Sequence, residues 1–115
     1  MTRVDWRYHR PGCTSCKRTL EFLAQNKVED GEVRSATKEP LEGAAALTVL
    51  DGMDRMYVAQ GKKILEVDLK KARPSDEALL ELLLGRSGKL RAPTVRSGKK
   101  VLVGYNAELF ETVLG

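Results

Sequence analysis

The chain has 115 residues, of which 42% are hydrophobic, and its 20 Lys and Arg against 16 Asp and Glu give a formal net charge of +4. That length suits one domain, residues 1–115, with a core that needs neither a disulfide nor a structural metal to hold it. The charged start MTRVDWRYHRPG lacks the apolar region of a secretory signal and no apolar run is long enough to span a bilayer, so a cytoplasmic protein without a membrane partner is expected.

Val4, Trp6 and Tyr8 alternate with Asp5, Arg7 and His9, which predicts a strand over 3–9 with the three apolar residues on one face. Arg10-Pro11-Gly12 breaks it. A helix is predicted from Cys13 to about Gln25, with Cys16, Leu20 and Leu23 sharing its buried face. Glu29-Asp30-Gly31 reads as a turn and 32–35 as a short second strand. Pro40 then opens a helix through the Ala-rich run to Leu50, ended by Asp51-Gly52. Tyr57-Val58 and 64–69 have strand character on either side of Gly61-Lys62, a hairpin pattern, with a helical turn as the alternative for its first half. Ser75 caps a helix whose Leu79, Leu80 and Leu83 face inward and which Gly85 stops. Residues 94–96 and 100–103 flank Ser97-Gly98-Lys99 as a hairpin, and Asn106 caps a last helix with Leu109, Phe110, Val113 and Leu114 toward the core.

Cys13 and Cys16 are the only cysteines, and both sit at the start of the first helix. A thiol there meets unpaired N–H groups and the positive end of the helix dipole, so its thiolate is favoured. Two intervening residues bring the second sulfur one turn further on and inward, where it can attack a mixed disulfide at the first. His9, Arg10, Lys17 and Arg18 add positive charge around the pair. A zinc site needs four ligands, and with a single histidine in the chain it would have to recruit carboxylates. Two inert buried thiols are the other alternative, opposed by the polar Thr14-Ser15 between them. The doublets Lys62-Lys63, Lys70-Lys71 and Lys99-Lys100 are scattered without interleaved aromatics and read as solvated surface, so no direct nucleic-acid contact is expected.

The order of strand, cysteine helix, strand, helices, hairpin and helix is that of an α/β thioredoxin-like fold, a small mixed sheet flanked by helices. The segments 8–17, Leu90-Arg91-Ala92-Pro93-Thr94 and Val103-Gly104-Tyr105-Asn106 resemble the family of arsenate reductases (ArsC) and Spx-type regulators, which carry an insertion between the two halves of that fold. The resemblance is strong at both ends and weak over about 50–71. It implies that Cys13 is the catalytic cysteine and that Cys16 matches the second cysteine of the Spx-type branch. It also implies that Pro93 is the cis-proline beside the active cysteines, with Ala92 and Thr94 positioning the substrate; a trans Pro93 starting an edge strand is the alternative reading.

Two departures accompany the match. Similar arsenate reductases place an oxyanion-binding arginine directly before that proline, where this chain has Ala92. Arg91, one residue away, is expected to point to the opposite side, and Arg55 is a second candidate anion contact whose alternative is a surface ion pair. Asp5 is similar in position to the buried aspartate of thioredoxins; pairing with Arg7 on a partly solvated face is the competing reading. His9 is expected to tune local charge rather than act as a general base.

The first functional expectation is a thiol–disulfide redox protein, a thiol–disulfide oxidoreductase that needs no cofactor or metal and acts on a protein or small-molecule disulfide or thiol. The alternative is a Spx-like redox-sensing regulator that docks on RNA polymerase; such relatives tend to carry extra C-terminal sequence, whereas this chain stops at Gly115. Arsenate reduction is third, because Ala92 removes a cationic donor.

Overall fold

The computed structural model describes residues 3–10, 12–60, 62–85 and 88–114. Its strands are β1 (Arg3–His9), β2 (Glu29–Ser35), β3 (Arg55–Gln60), β4 (Lys63–Asp68), β5 (Thr94–Ser97) and β6 (Lys100–Val103). The α-helices are α1 (Thr14–Gln25), α2 (Asp76–Leu83) and α3 (Ala107–Leu114), and Gly43–Leu50 is a 3-10 helix. The strands form one mixed sheet in the order β2-β1-β5-β6-β3-β4. β1 is parallel to β2 and β6 to β3, while the remaining pairs are antiparallel. This is the thioredoxin-like arrangement expected from the element order, with β3 and β4 forming the hairpin predicted in the poorly matched middle. Gly61, placed at its tip, lies outside the described residues.

Each face of the sheet carries its own core. On one, Ala46, Val49 and Leu50 of the 3-10 helix and Leu79 and Leu83 of α2 pack on Trp6, Tyr8, Met56, Val58, Val101 and Val103. On the other, Phe22 and Leu23 of α1 and Leu109, Phe110 and Leu114 of α3 pack on Val4, Val95 and Leu102. The alternation of β6 supplies both cores, as period-two geometry requires. In β1 the alternation breaks, since Val4 belongs to one core and Trp6 and Tyr8 to the other. The predicted single apolar face over 3–9 is corrected accordingly.

Four further expectations change. β2 begins at Glu29, because Gly31 lies in the ladder against β1 rather than in a turn: a Cβ there would stand 2.6 Å from the Val4 carbonyl oxygen. The helix from Pro40 starts only at Gly43, since Leu41 donates its N–H to the Tyr8 hydroxyl and accepts from Leu90, and Glu42 bridges to Lys89. From Gly43 to Leu50 the chain forms a 3-10 helix rather than an α-helix, and its three-residue period stacks Ala46 and Val49 on the core side. In α1 the inward face is Cys16, Thr19, Phe22 and Leu23, and Leu20 is 40% exposed. Leu80 is half-buried beside the fully buried Leu79 and Leu83. The caps hold as predicted: Ser75 accepts from the Ala78 N–H and Asn106 from the Leu109 N–H. Among the described residues no helix is long and apolar enough to cross a membrane.

Candidate active site

β1 delivers the chain at His9 to a turn in which Gly12 takes φ +77°, a left-handed conformation that glycine adopts without strain. Cys13 follows as the N-cap of α1, extended at φ −88° and ψ 120°. Its Sγ accepts the Cys16 N–H at 3.4 Å, the role an oxygen of Ser or Asp plays at ordinary caps. The same sulfur lies 3.6 Å from the Ala92 carbonyl oxygen, to which the thiol donates. The Ala92–Pro93 bond is cis, and the Ala92 carbonyl lies against the Cys13 sulfur. Thr94 is buried and spends its hydroxyl on the Arg91 carbonyl at 2.6 Å, which ties the turn before β5.

Both cysteines are free thiols, with Cys13 partly exposed and Cys16 fully buried. Burial alone raises the Cys13 thiol, but hydrogen bonds from the Cys16 thiol and N–H, the Arg10 charge and the Ser15 N–H together bring it below its ordinary 9.0. Cys16 goes the other way: burial, and then the Cys13 sulfur, push it up to about 11 against a partial offset from Arg10. A partly exposed thiol with a lowered pKa therefore stands beside a buried one whose pKa is raised. Such asymmetry is what a nucleophile paired with a resolving thiol requires.

One depression includes Cys13, and a second runs past its neighbours Arg10 and Ala92. The smaller, about 320 Å³, is lined by His9, Gly12, Cys13, Thr14, Lys17 and Leu20. The larger, about 640 Å³, runs past Arg10, Thr37, Lys89, Arg91 and Ala92. Arg91 and Ala92 both contribute to the lining of this groove. The Arg91 guanidinium donates to the Ala59 carbonyl oxygen at 3.1 Å and passes over Gly104, where a Cβ would lie 3.0 Å from its Nη2. His9, expected to tune local charge, has its Nδ1 3.2 Å from Nη1 of Arg7.

Two candidates lie elsewhere. Asp5 is exposed and accepts the Gly98 N–H at 2.7 Å, at the β5–β6 turn. Arg55 aligns with Lys100, which pairs with Ser97, whereas the Thr94 row beside Pro93 aligns with Val103 and Val58. Three residues along a strand separate these rows by ~10 Å. Arg55 pairs instead with Glu66 at 3.1 Å on the surface, the competing reading given for it. Sequence reasoning missed Lys89 and the buried placement of Arg7, which is 5% exposed; a charged residue in the middle of a central strand was the available signal for the latter. Among the described residues no three His, Cys, Asp or Glu side chains are grouped so as to hold a metal ion.

Comparison with known proteins agrees with this geometry at the level of family. The sequence pattern described as the ArsC family matches residues 8–113. The chain is 29% identical over 103 residues to the regulatory protein MgsR of Bacillus subtilis strain 168, covering 86% of this chain and 81% of that one. It is 29% identical over 109 residues to the uncharacterized protein YusI of the same strain, covering 90% and 92%. To the global transcriptional regulator Spx 1 of Oceanobacillus iheyensis it is 28% identical over 105 residues, covering 88% and 79%.

Proposed function

This chain belongs to the ArsC family, and from that premise we propose that it works as a thiol–disulfide redox protein in which Cys13 attacks and Cys16 resolves. The observation that carries the reading is the opposite displacement of the two thiols, Cys13 downward and Cys16 upward to about 11. The Cys13 thiolate attacks one sulfur of a partner disulfide; the partner S–S bond breaks, a mixed disulfide forms and the other partner sulfur leaves as a thiolate. Cys16 then loses its proton and attacks the Cys13 sulfur, closing the Cys13–Cys16 disulfide and releasing the second partner thiol. Two electrons pass from this chain to the partner, and neither step calls on a metal or organic cofactor. The Ala92 carbonyl and the cis Pro93 form the wall against which the partner's chain lies. The cytoplasm, where such a pair is kept cycling by reductants, is the compartment this chemistry fits.

The experiment is to trap the intermediate. With Cys16→Ser, a protein or small-molecule disulfide is expected to remain attached to Cys13 as a stable adduct visible by mass, whereas the unaltered chain releases it. Equal accumulation on both chains contradicts the resolving role.

A second reading is favoured by the relatives themselves, since MgsR is named a regulatory protein and Spx 1 a global transcriptional regulator. In it the same pair acts as a sensor and the protein docks on RNA polymerase. Capture of the polymerase by one redox state but not the other supports it, and capture by neither removes it. Arsenate reduction ranks below both, because Ala92 offers no guanidinium to an oxyanion.

A further inference from the structure

The larger groove beside Cys13 is more than an edge of the thiol site. Three cationic side chains line it, Arg10, Lys89 and Arg91, and its other described lining residues, Tyr8, Ala36, Thr37, Gly85, Leu90 and Ala92, include no acid. Each cation is available to a ligand. Arg10 is exposed; Arg91 is anchored by a neutral carbonyl, which fixes its direction and leaves its charge uncompensated at that contact. Lys89 has a long, solvent-exposed pairing with Glu42 at 3.9 Å, of a kind that contributes little and is easily exchanged. At about 640 Å³ the groove is far larger than one tetrahedral oxyanion, which takes the room of a few waters at ~30 Å³ each. Its lining includes Ala92, whose carbonyl receives the Cys13 thiol at 3.6 Å, so residues flanking a cysteine bonded to Cys13 come within reach of it.

We propose that this groove is a specificity site for an acidic stretch of polypeptide flanking the cysteine that Cys13 attacks, with carboxylates meeting Arg10, Lys89 and Arg91. The inference rests on the redox reading and adds the substrate class to it. Charge complementarity of this kind acts mainly on encounter rate and on selection among partners.

The test uses Cys16→Ser protein and three five-residue peptides with a central cysteine, flanked by glutamates, serines or lysines, each carrying a thiopyridyl group on its sulfur. The Cys13 thiolate bonds to the peptide sulfur, the peptide S–thiopyridyl bond breaks, and thiopyridone departs, takes a proton and is read by its absorbance. The glutamate peptide is expected to react about tenfold faster than the serine peptide at low salt, and the lysine peptide slower than either. The ratio should fall toward one as ionic strength is raised to about 0.5 M. In Lys89→Gln, and separately in Arg91→Gln, the glutamate-to-serine ratio measured within each variant should fall several-fold. Equal rates for the three peptides, or ratios untouched by both substitutions, overturn the groove while leaving the redox reading intact. If no peptide reacts at Cys13, the redox reading itself has failed. The groove is then judged by fluorescence anisotropy of the glutamate peptide with serine in place of its cysteine, where binding weakened severalfold by Lys89→Gln upholds it and binding no tighter than that of the lysine peptide overturns it.

Discussion

Cys13 and Cys16 stand one helical turn apart, yet their surroundings pull them in opposite directions. Cys13 caps α1 and receives N–H groups and a guanidinium charge, whereas Cys16 is shut away from water on the core side. Replacing Arg10 by Gln removes one of the named stabilisers of the thiolate, so the midpoint of Cys13 alkylation against pH should move upward; an unmoved midpoint assigns the shift to the hydrogen bonds from the Cys16 thiol and from the Cys16 and Ser15 N–H groups. Stability follows the same two groups. From the lowered Cys13 value up to 9.0, the unfolded chain holds a proton that the native one has released, so this site's contribution to stability rises with pH. From 9.0 to about 11 the native chain holds the Cys16 proton that the unfolded chain has lost, and stability falls. Urea unfolding of the reduced protein should therefore show the advantage of wild type over Cys16→Ala shrinking across that upper window. An advantage constant with pH contradicts the raised Cys16 value.

At the level of elements, the sequence made legible those features whose chemistry is local. The N-caps Ser75 and Asn106, the hairpin of β5 and β6 and the position of the cysteines all depend on residues a few places apart. Where contacts distant in sequence decided, local pattern misled. Gly31 reads as a turn residue but serves a strand whose backbone passes too close to β1 for any side chain, and Leu41 is held extended by Tyr8 and Leu90. In α1 both Leu20 and Leu23 fit a helical stripe, and only the position of the sheet shows which one is buried. Leu23→Ala should accordingly cost ~2–5 kcal/mol in chemical denaturation and Leu20→Ala no more than ~0.5 kcal/mol. Comparable losses for the two contradict the observed face. The candidate site divided in the same way: Cys13, Cys16, Ala92 and Pro93 stand out as motif residues, while the hydrogen bond of Asp5 to Gly98 and the register that sets Arg55 away from the Pro93 turn depend on contacts distant in sequence.

For the whole molecule, two cores on opposite faces of one sheet leave the ends of the strands to carry function. One face is closed by α1 and α3 and the other by α2 and the 3-10 helix, and at the end of β1 the helix start, the cis-proline turn and the basic groove meet. The sheet thereby brings residues 79 positions apart, Cys13 and Ala92, within 3.6 Å. Under the proposed function this meeting point holds a reversible dithiol pair. Equilibrating the protein in thiol buffers of defined potential and counting free thiols by mass after alkylation checks for it. A single two-electron midpoint that disappears in Cys16→Ser is expected, with a value near roughly −270 mV marking a reductase and a much less negative one an oxidant or sensor. A chain that forms no intramolecular disulfide at any potential contradicts it.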